Sequence, residues 1–176
     1  MRIRYLPYLV VGSSVEQLRS ALDALGPVRA GRRFGAFTDW EVTWRYRHVD
    51  DRGTRRVAEV TVDVSARIML PRWNPPRSAS ADLVTAWHAL VAAIEEHERG
   101  HVDIAAAAGA EVQRRLMTLP PFGTKEELDA AAAAAAQEAV REAREREVTY
   151  DAATRHGESQ GVCFPPVFLR LASKSS

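Results

Sequence analysis

What this chain has little of narrows its role first. Cys163 is the only cysteine, so no disulfide can form within the chain and no thiolate metal cluster can be built from it. A lone cysteine is by default a small buried hydrophobe. Charge of one sign is scarce too: 24 Lys and Arg stand against 23 Asp and Glu, a net +1. The arginines are interleaved with Glu and Asp instead of gathered into a basic run, which argues against an obligate nucleic-acid partner. No apolar stretch is long enough to span a membrane. The opening MRIRYLPYLVVGSS carries two arginines, but its apolar run is short, is broken by Pro7 and reads as a strand more than as a signal sequence. The sequence as it stands is expected to be soluble. Its location stays open: cytoplasmic if this is the full chain, secreted or periplasmic if a signal has been removed.

What is present is the composition of one compact domain, with 46% hydrophobic and 27% charged residues over 176 positions. Residues 1–76 are expected to be mainly sheet with one helix, 80–149 two long helices, and 150–176 a site loop and tail. Ile3 to Val11 is β-rich. Ser13 or Ser14 caps a helix through Val15, Leu18, Leu22 and Leu25 that Gly26-Pro27 stops. Trp40 to His48 alternates apolar and polar residues, Asp50-Asp51-Arg52-Gly53 turns, and Val60, Val62, Val64, Ala66 and Ile68 line one face of a second strand. The two strands form an antiparallel hairpin whose apolar face needs a cover. Met69 to Pro76 breaks the alternation and Ser80 opens a central helix, in which Gly100 and Gly109 are expected to allow a bend. Pro120-Pro121 ends its pattern. Thr124-Lys125-Glu126-Glu127 is a capping box that starts a third helix, with a run of small residues from Ala130 to Ala136, expected to fray near Thr149. The fold class is α+β: a small antiparallel sheet packed on two long helices.

The central helix carries the chemistry. Its apolar stripe runs Leu83, Trp87, Leu90, Ile94, His97, His101, Ile104, Ala108, Val112. Two histidines take core positions one turn apart, within His97-Glu98-Arg99-Gly100-His101, an HExxH pattern. Residues four apart on a helix lie about 40° apart and one turn up, so both imidazoles can reach one zinc ion. Glu98, one step round, points to the flank of that face, where a carboxylate can take a proton from water without ligating the metal. Two polar rings under a sheet are costly without a ligand to satisfy them.

A catalytic zinc usually takes three protein ligands and keeps a fourth position for water. No histidine follows His101 closely, so the third ligand must come from farther along the chain. His48 reads as a strand-end surface residue, and His88 lies about 13 Å from His97 along the same helix. His156, in a loop rich in glycine, is the first choice. Asp151 and the third-helix carboxylates Glu138, Glu142 and Glu145 are the competitors. Tyr150 is a candidate to donate a hydrogen bond to an oxyanion, or else a helix-end packing aromatic. Asp151, if it is not a ligand, can orient a ligand imidazole through its second nitrogen.

Thr38-Asp39-Trp40, Leu70-Pro71-Arg72-Trp73, Trp87 ahead of the HExxH, and Tyr150-Asp151 through Thr154-Arg155-His156-Gly157 to Gln160-Gly161 together resemble an uncharacterised bacterial domain family of predicted secreted zinc-dependent proteases, a zincin-like group. The resemblance runs from the first strand to Gly161. It implies a zincin-like fold and a peptidase with one zinc per chain, His97 and His101 as ligands, Glu98 as general base and the later segment completing the site. The family label says secreted, whereas this sequence shows no export signal.

The expected reaction is hydrolysis of a peptide bond in a peptide or protein substrate by a monomeric enzyme without nucleic acid. Two alternatives stand beside it: a zinc hydrolase of another amide bond, for example in cell-wall peptide, and a non-catalytic binding or scaffold protein on the same fold.

Overall fold

The computed structural model describes residues 1–29 and 31–164. Strand β1 (Arg2–Val10) leads into helix α1 (Val15–Leu25); β2 (Val28–Arg29) and β3 (Arg32–Arg33) follow. The long strands β4 (Phe37–Asp51) and β5 (Thr54–Trp73) precede helices α2 (Ala81–Met117) and α3 (Lys125–Thr154), and a 3-10 turn spans Glu158–Gln160. The expected closing segment lies, beyond Phe164, outside the described residues.

Local chemistry explains these boundaries. The Ser14 hydroxyl accepts from the Gln17 N–H at the start of α1, the Ser80 hydroxyl accepts from the Leu83 N–H at the start of α2, and α3 opens on a reciprocal box. There Thr124 Oγ1 accepts from the Glu127 N–H, and Glu127 Oε2 accepts from the Thr124 N–H, both at 3.1 Å. The β4–β5 hairpin turns on Arg52 and Gly53, whose φ angles are +49° and +83°; positive φ at both positions is what a tight two-residue hairpin turn demands.

Three expectations need correction. The sheet has the order β1-β5-β4 and is mixed, not antiparallel. Beta1 is joined to the hairpin through α1 and not by a tight turn, so no connection forces it antiparallel. Strand β5 does not end at Ile68 but continues to Trp73, because Leu70, Pro71 and Trp73 are buried and the Trp73 indole N–H donates to the Gly12 carbonyl at 3.0 Å. Helix α3 runs five residues past Thr149, to Thr154, which puts Tyr150 and Asp151 on its last turns.

The chain divides into two compact units, and β5, α2 and α3 each contribute to both. One unit contains Trp40–Ala66 and Val102–Thr149. Its core sets Trp40, Val42, Val57, Val60 and Val64 of the hairpin with Ala105, Ala108, Val112 and Leu116 of α2 and Leu128, Ala132, Ala136, Ala139 and Ala143 of α3. The buried alanines of α3 fall three and four apart on one face. Arg115 of α2 pairs with Glu142 of α3 at 2.6 Å, so Glu142 faces α2 and not the Arg146 one turn on. The second unit contains Ile3–Asp39, Arg67–His101 and the chain from Tyr150. Val10, Leu18, Ile68, Leu70, Trp73, Leu83, Trp87, Leu90 and Ile94 form its core.

Gly109 serves close approach: a Cβ there would lie 2.4 Å from Val64 Cγ2. An exposed helical Gly→Ala change gains about 1 kcal/mol from propensity alone. At this position overpacking, typically about 1–3 kcal/mol, opposes that gain. Gly109→Ala is expected to lower stability in urea denaturation, and the same change in a Val64→Ala background to raise it.

Candidate metal centre

The site lies within the second unit. His97 and His101 occupy successive turns of α2 with only 6% and 8% of their surface exposed, and Glu98 between them is 4% exposed. The imidazole rings stand perpendicular, with centroids 5.0 Å apart, and their Nε2 atoms approach to 3.4 Å. From α3 comes the Asp151 carboxylate, whose Oδ1 lies 3.3 Å from His97 Nε2 and 3.1 Å from His101 Nε2. Three electron-rich atoms from two helices thus point at one small volume, and the group could hold a metal ion.

The spacing tests the fit. An ion bound tetrahedrally through bonds of about 2.0–2.1 Å sets its ligand atoms about 3.3 Å apart. The three edges here, 3.1, 3.3 and 3.4 Å, lie within 0.2 Å of that value. Two imidazoles and one carboxylate also form a donor set that catalytic zinc sites use.

Electrostatics agree with the geometry. Burial raises the Asp151 carboxyl, but the His101 and His97 imidazoles beside it outweigh that effect and hold the group well below the usual carboxylate range. Burial also raises Glu98, and there it prevails over the opposing hydrogen bond from Thr38 and the charges of His101 and His97. The Thr38 hydroxyl donates to Glu98 Oε2 at 2.6 Å, so one oxygen of the carboxylate is fixed by the first residues of β4.

The expected site residues fall into two groups. His97, Glu98, His101, Tyr150 and Asp151 come together; His156 stays at the rim. The reason lies in how α3 ends. The His156 N–H donates to the Asp151 carbonyl at 2.8 Å and the Arg155 N–H to the Ala152 carbonyl at 3.3 Å, the paired bonds of a Schellman cap with Arg155 left-handed at φ +52°. This cap carries the His156 side chain outward, 60% exposed, with Nδ1 3.7 Å from Asp151 Oδ2. Asp151, one turn earlier, takes the place expected of His156. Its Oδ1 faces the same two Nε2 atoms that face each other, which puts it among the atoms that could hold an ion and not behind a ring. Glu138 and Glu145 pair with Arg141, and Glu142 with Arg115; none belongs to the group.

Tyr150 is placed as a wall of the site. Its ring stacks on His97 at 5.2 Å and 11° and meets His101 edge-on at 5.2 Å, and its hydroxyl donates to the His97 carbonyl at 3.1 Å. That hydroxyl is thus engaged with backbone, where the sequence left open an oxyanion donor or a helix-end packing aromatic. Gly100 makes room for it, since a Cβ there would lie 2.2 Å from the Tyr150 oxygen; this glycine serves contact where a bend was expected. Gln160, whose Oε1 lies 3.0 Å from His97 Nδ1, and Thr38 were marks of the family resemblance but were given no role of their own in the site. Thr38 had a usable signal: two residues before buried Trp40, it shares the inward face of an alternating strand. For Gln160 the resemblance was the one signal, because only the closing turn brings it back to α2.

With this geometry in hand, the class is an α+β protein carrying a buried His-His-Asp group suited to a metal ion. The chain belongs to the family described as "Bacterial protein of unknown function (DUF922)", which matches residues 5–157. That span takes in both histidines, Glu98 and Asp151 and stops short of Gln160. No curated protein matches the chain, and no solved structure does. No helix among the described residues is long and apolar enough to cross a membrane.

Removing the donor to a buried carboxylate leaves that group short of a partner, at a cost of about 1–3 kcal/mol. Thr38→Val, which keeps the side chain's shape, is expected to lower stability by that amount in urea denaturation at neutral pH, whereas the exposed Thr43→Val should change it by less than about 0.5 kcal/mol.

Proposed function

We propose that this protein is a zinc-dependent metallopeptidase, with His97, His101 and Asp151 holding the ion and Glu98 as general base. The observation that carries the reading is the convergence of two Nε2 atoms and one Oδ1 at tetrahedral spacing beside a buried glutamate. Zinc, when bound, supplies a Lewis acid that makes water a nucleophile near neutral pH and polarises a carbonyl.

The remaining work falls to the chain. His97 and His101 act as neutral donors and Asp151 contributes one negative charge, so the assembled centre keeps a net positive charge for developing oxyanion character. Thr38 anchors Oε2 of Glu98, leaving Oε1 to accept the proton of the attacking water. The raised proton affinity of Glu98 suits a base that must take this proton and then deliver it to the departing amine. Tyr150, stacked on His97, shields one side of the imidazoles from solvent.

The same residues would serve hydrolysis of another amide, such as one in cell-wall peptide, and parallel assays on casein and on peptidoglycan fragments separate the two. A non-catalytic scaffold would have no use for a buried, hydroxyl-anchored carboxylate next to the donor atoms.

Elemental analysis should find about one zinc per chain, lost in His97→Ala, His101→Ala and Asp151→Ala and retained in His156→Ala. Glu98→Gln should keep the metal while turnover falls at least about 10²-fold. Full zinc content in Asp151→Ala, or unchanged turnover in Glu98→Gln, would contradict the assignment.

A further inference from the structure

Gln160 ends the 3-10 turn Glu158–Gln160 and belongs to a closed ring of hydrogen bonds on the far side of His97 from the donor atoms. Its Oε1 lies 3.0 Å from His97 Nδ1. Its Nε2 donates to the Tyr150 hydroxyl at 3.1 Å, which in turn donates to the His97 carbonyl at 3.1 Å. An amide oxygen accepts and cannot donate, so this contact is a hydrogen bond only in the form of His97 that carries a proton on Nδ1. A neutral imidazole protonated there presents a lone pair at Nε2, the nitrogen that faces Asp151 and His101.

We propose that Gln160 is a positioning residue that fixes the His97 tautomer with its proton on Nδ1 and so holds Nε2 ready for a metal ion. The inference rests on the metal reading above and adds a residue to it. The path of the chain supports it. Arg155 and His156 both have φ near +50° (+52° and +53°), a region that L residues with side chains seldom enter. Gly157 follows at φ +84°, and a Cβ on it would lie 2.6 Å from Val162 Cγ2 and 3.1 Å from His97 Cγ. The turn thus lies against the His97 ring itself. It is closed by the Gln160 N–H to the Gly157 carbonyl at 2.9 Å and the Val162 N–H to the same oxygen at 3.0 Å. A left-handed segment tied down in this way delivers one side chain to the ring. That side chain is a neutral amide, so it orients the imidazole without adding a second negative charge to the centre.

The test uses the full chain, isotope-labelled at histidine nitrogen, metal-free and at mildly alkaline pH, in wild-type, Gln160→Leu and Gln160→Glu forms. Nitrogen chemical shifts should place the His97 proton on Nδ1 in the wild type and in Gln160→Glu, which keeps an acceptor oxygen, and should show it shifted toward Nε2 in Gln160→Leu. Zinc affinity, measured by competition with a chromophoric chelator, should fall about 10–100-fold in Gln160→Leu and recover most of that loss in Gln160→Glu. A wild-type proton on Nε2, or a Gln160→Leu protein that keeps both tautomer and affinity, overturns the proposal. If Gln160→Leu does not fold, the wild-type and Gln160→Glu shifts decide, and loss of the Nδ1 proton in Gln160→Glu counts against it. Wild-type protein that binds no zinc would refute the metal reading alone, because the tautomer comparison needs no metal.

Discussion

Three electron-rich atoms, two of them on buried histidines, crowd together, and the candidate site is organised around that constraint. Two imidazole nitrogens and a carboxylate oxygen at 3.1–3.4 Å from one another repel through their lone pairs unless protons or a cation lie between them, and the low dielectric around the buried histidines strengthens that demand. A single proton satisfies one of these contacts. A divalent ion satisfies all three at once, and the edge lengths fit it.

The neighbouring features follow from keeping those atoms in place. Tyr150 can stack on His97 because position 100 is glycine. Asp151 can reach both histidines because α3 does not stop where its polar residues begin, and its Schellman cap fixes the Asp151 carbonyl. Thr38 fixes one oxygen of the glutamate that lies between the two histidines. In the other unit, Trp40 repeats the theme two residues along β4: its indole N–H donates to Glu147 Oε1 at 2.6 Å, and the Arg144 guanidinium lies 3.6 Å over its ring. Alternate residues at the start of β4 each hold a buried glutamate.

Much of this was legible in the sequence. The amphipathic stripe of α2, the capping residues Ser14, Ser80 and Thr124, the alternation along β4 and β5 and the HExxH pair are local signals with short-range causes, and the structure carries each of them. What differed was set mostly by contacts distant in sequence, and for His156 by how α3 is capped. Residues 150–154 carry Thr, Tyr and Asp, which read as the end of a helix, yet packing of Tyr150 on His97 and Gly100 extends it. His156 looked free to turn inward because glycine follows it, but the left-handed cap at Arg155 sends it outward. Beta1 could not be placed from its own pattern, since nearly all its residues are exposed and its neighbour in the sheet is a strand more than 40 residues away. Gln160 was marked by the family resemblance, but its contact with the His97 ring became visible only once the closing turn had brought it there.

The most direct test of the account is an anomalous difference map, measured at the zinc absorption edge, from crystals of the protein grown with one equivalent of zinc. The account predicts one strong peak about 2.0–2.2 Å from His97 Nε2, His101 Nε2 and an Asp151 carboxylate oxygen together. A peak coordinated by His156 in place of Asp151 would contradict the ligand assignment, and no peak between the two histidines would contradict the metal centre itself.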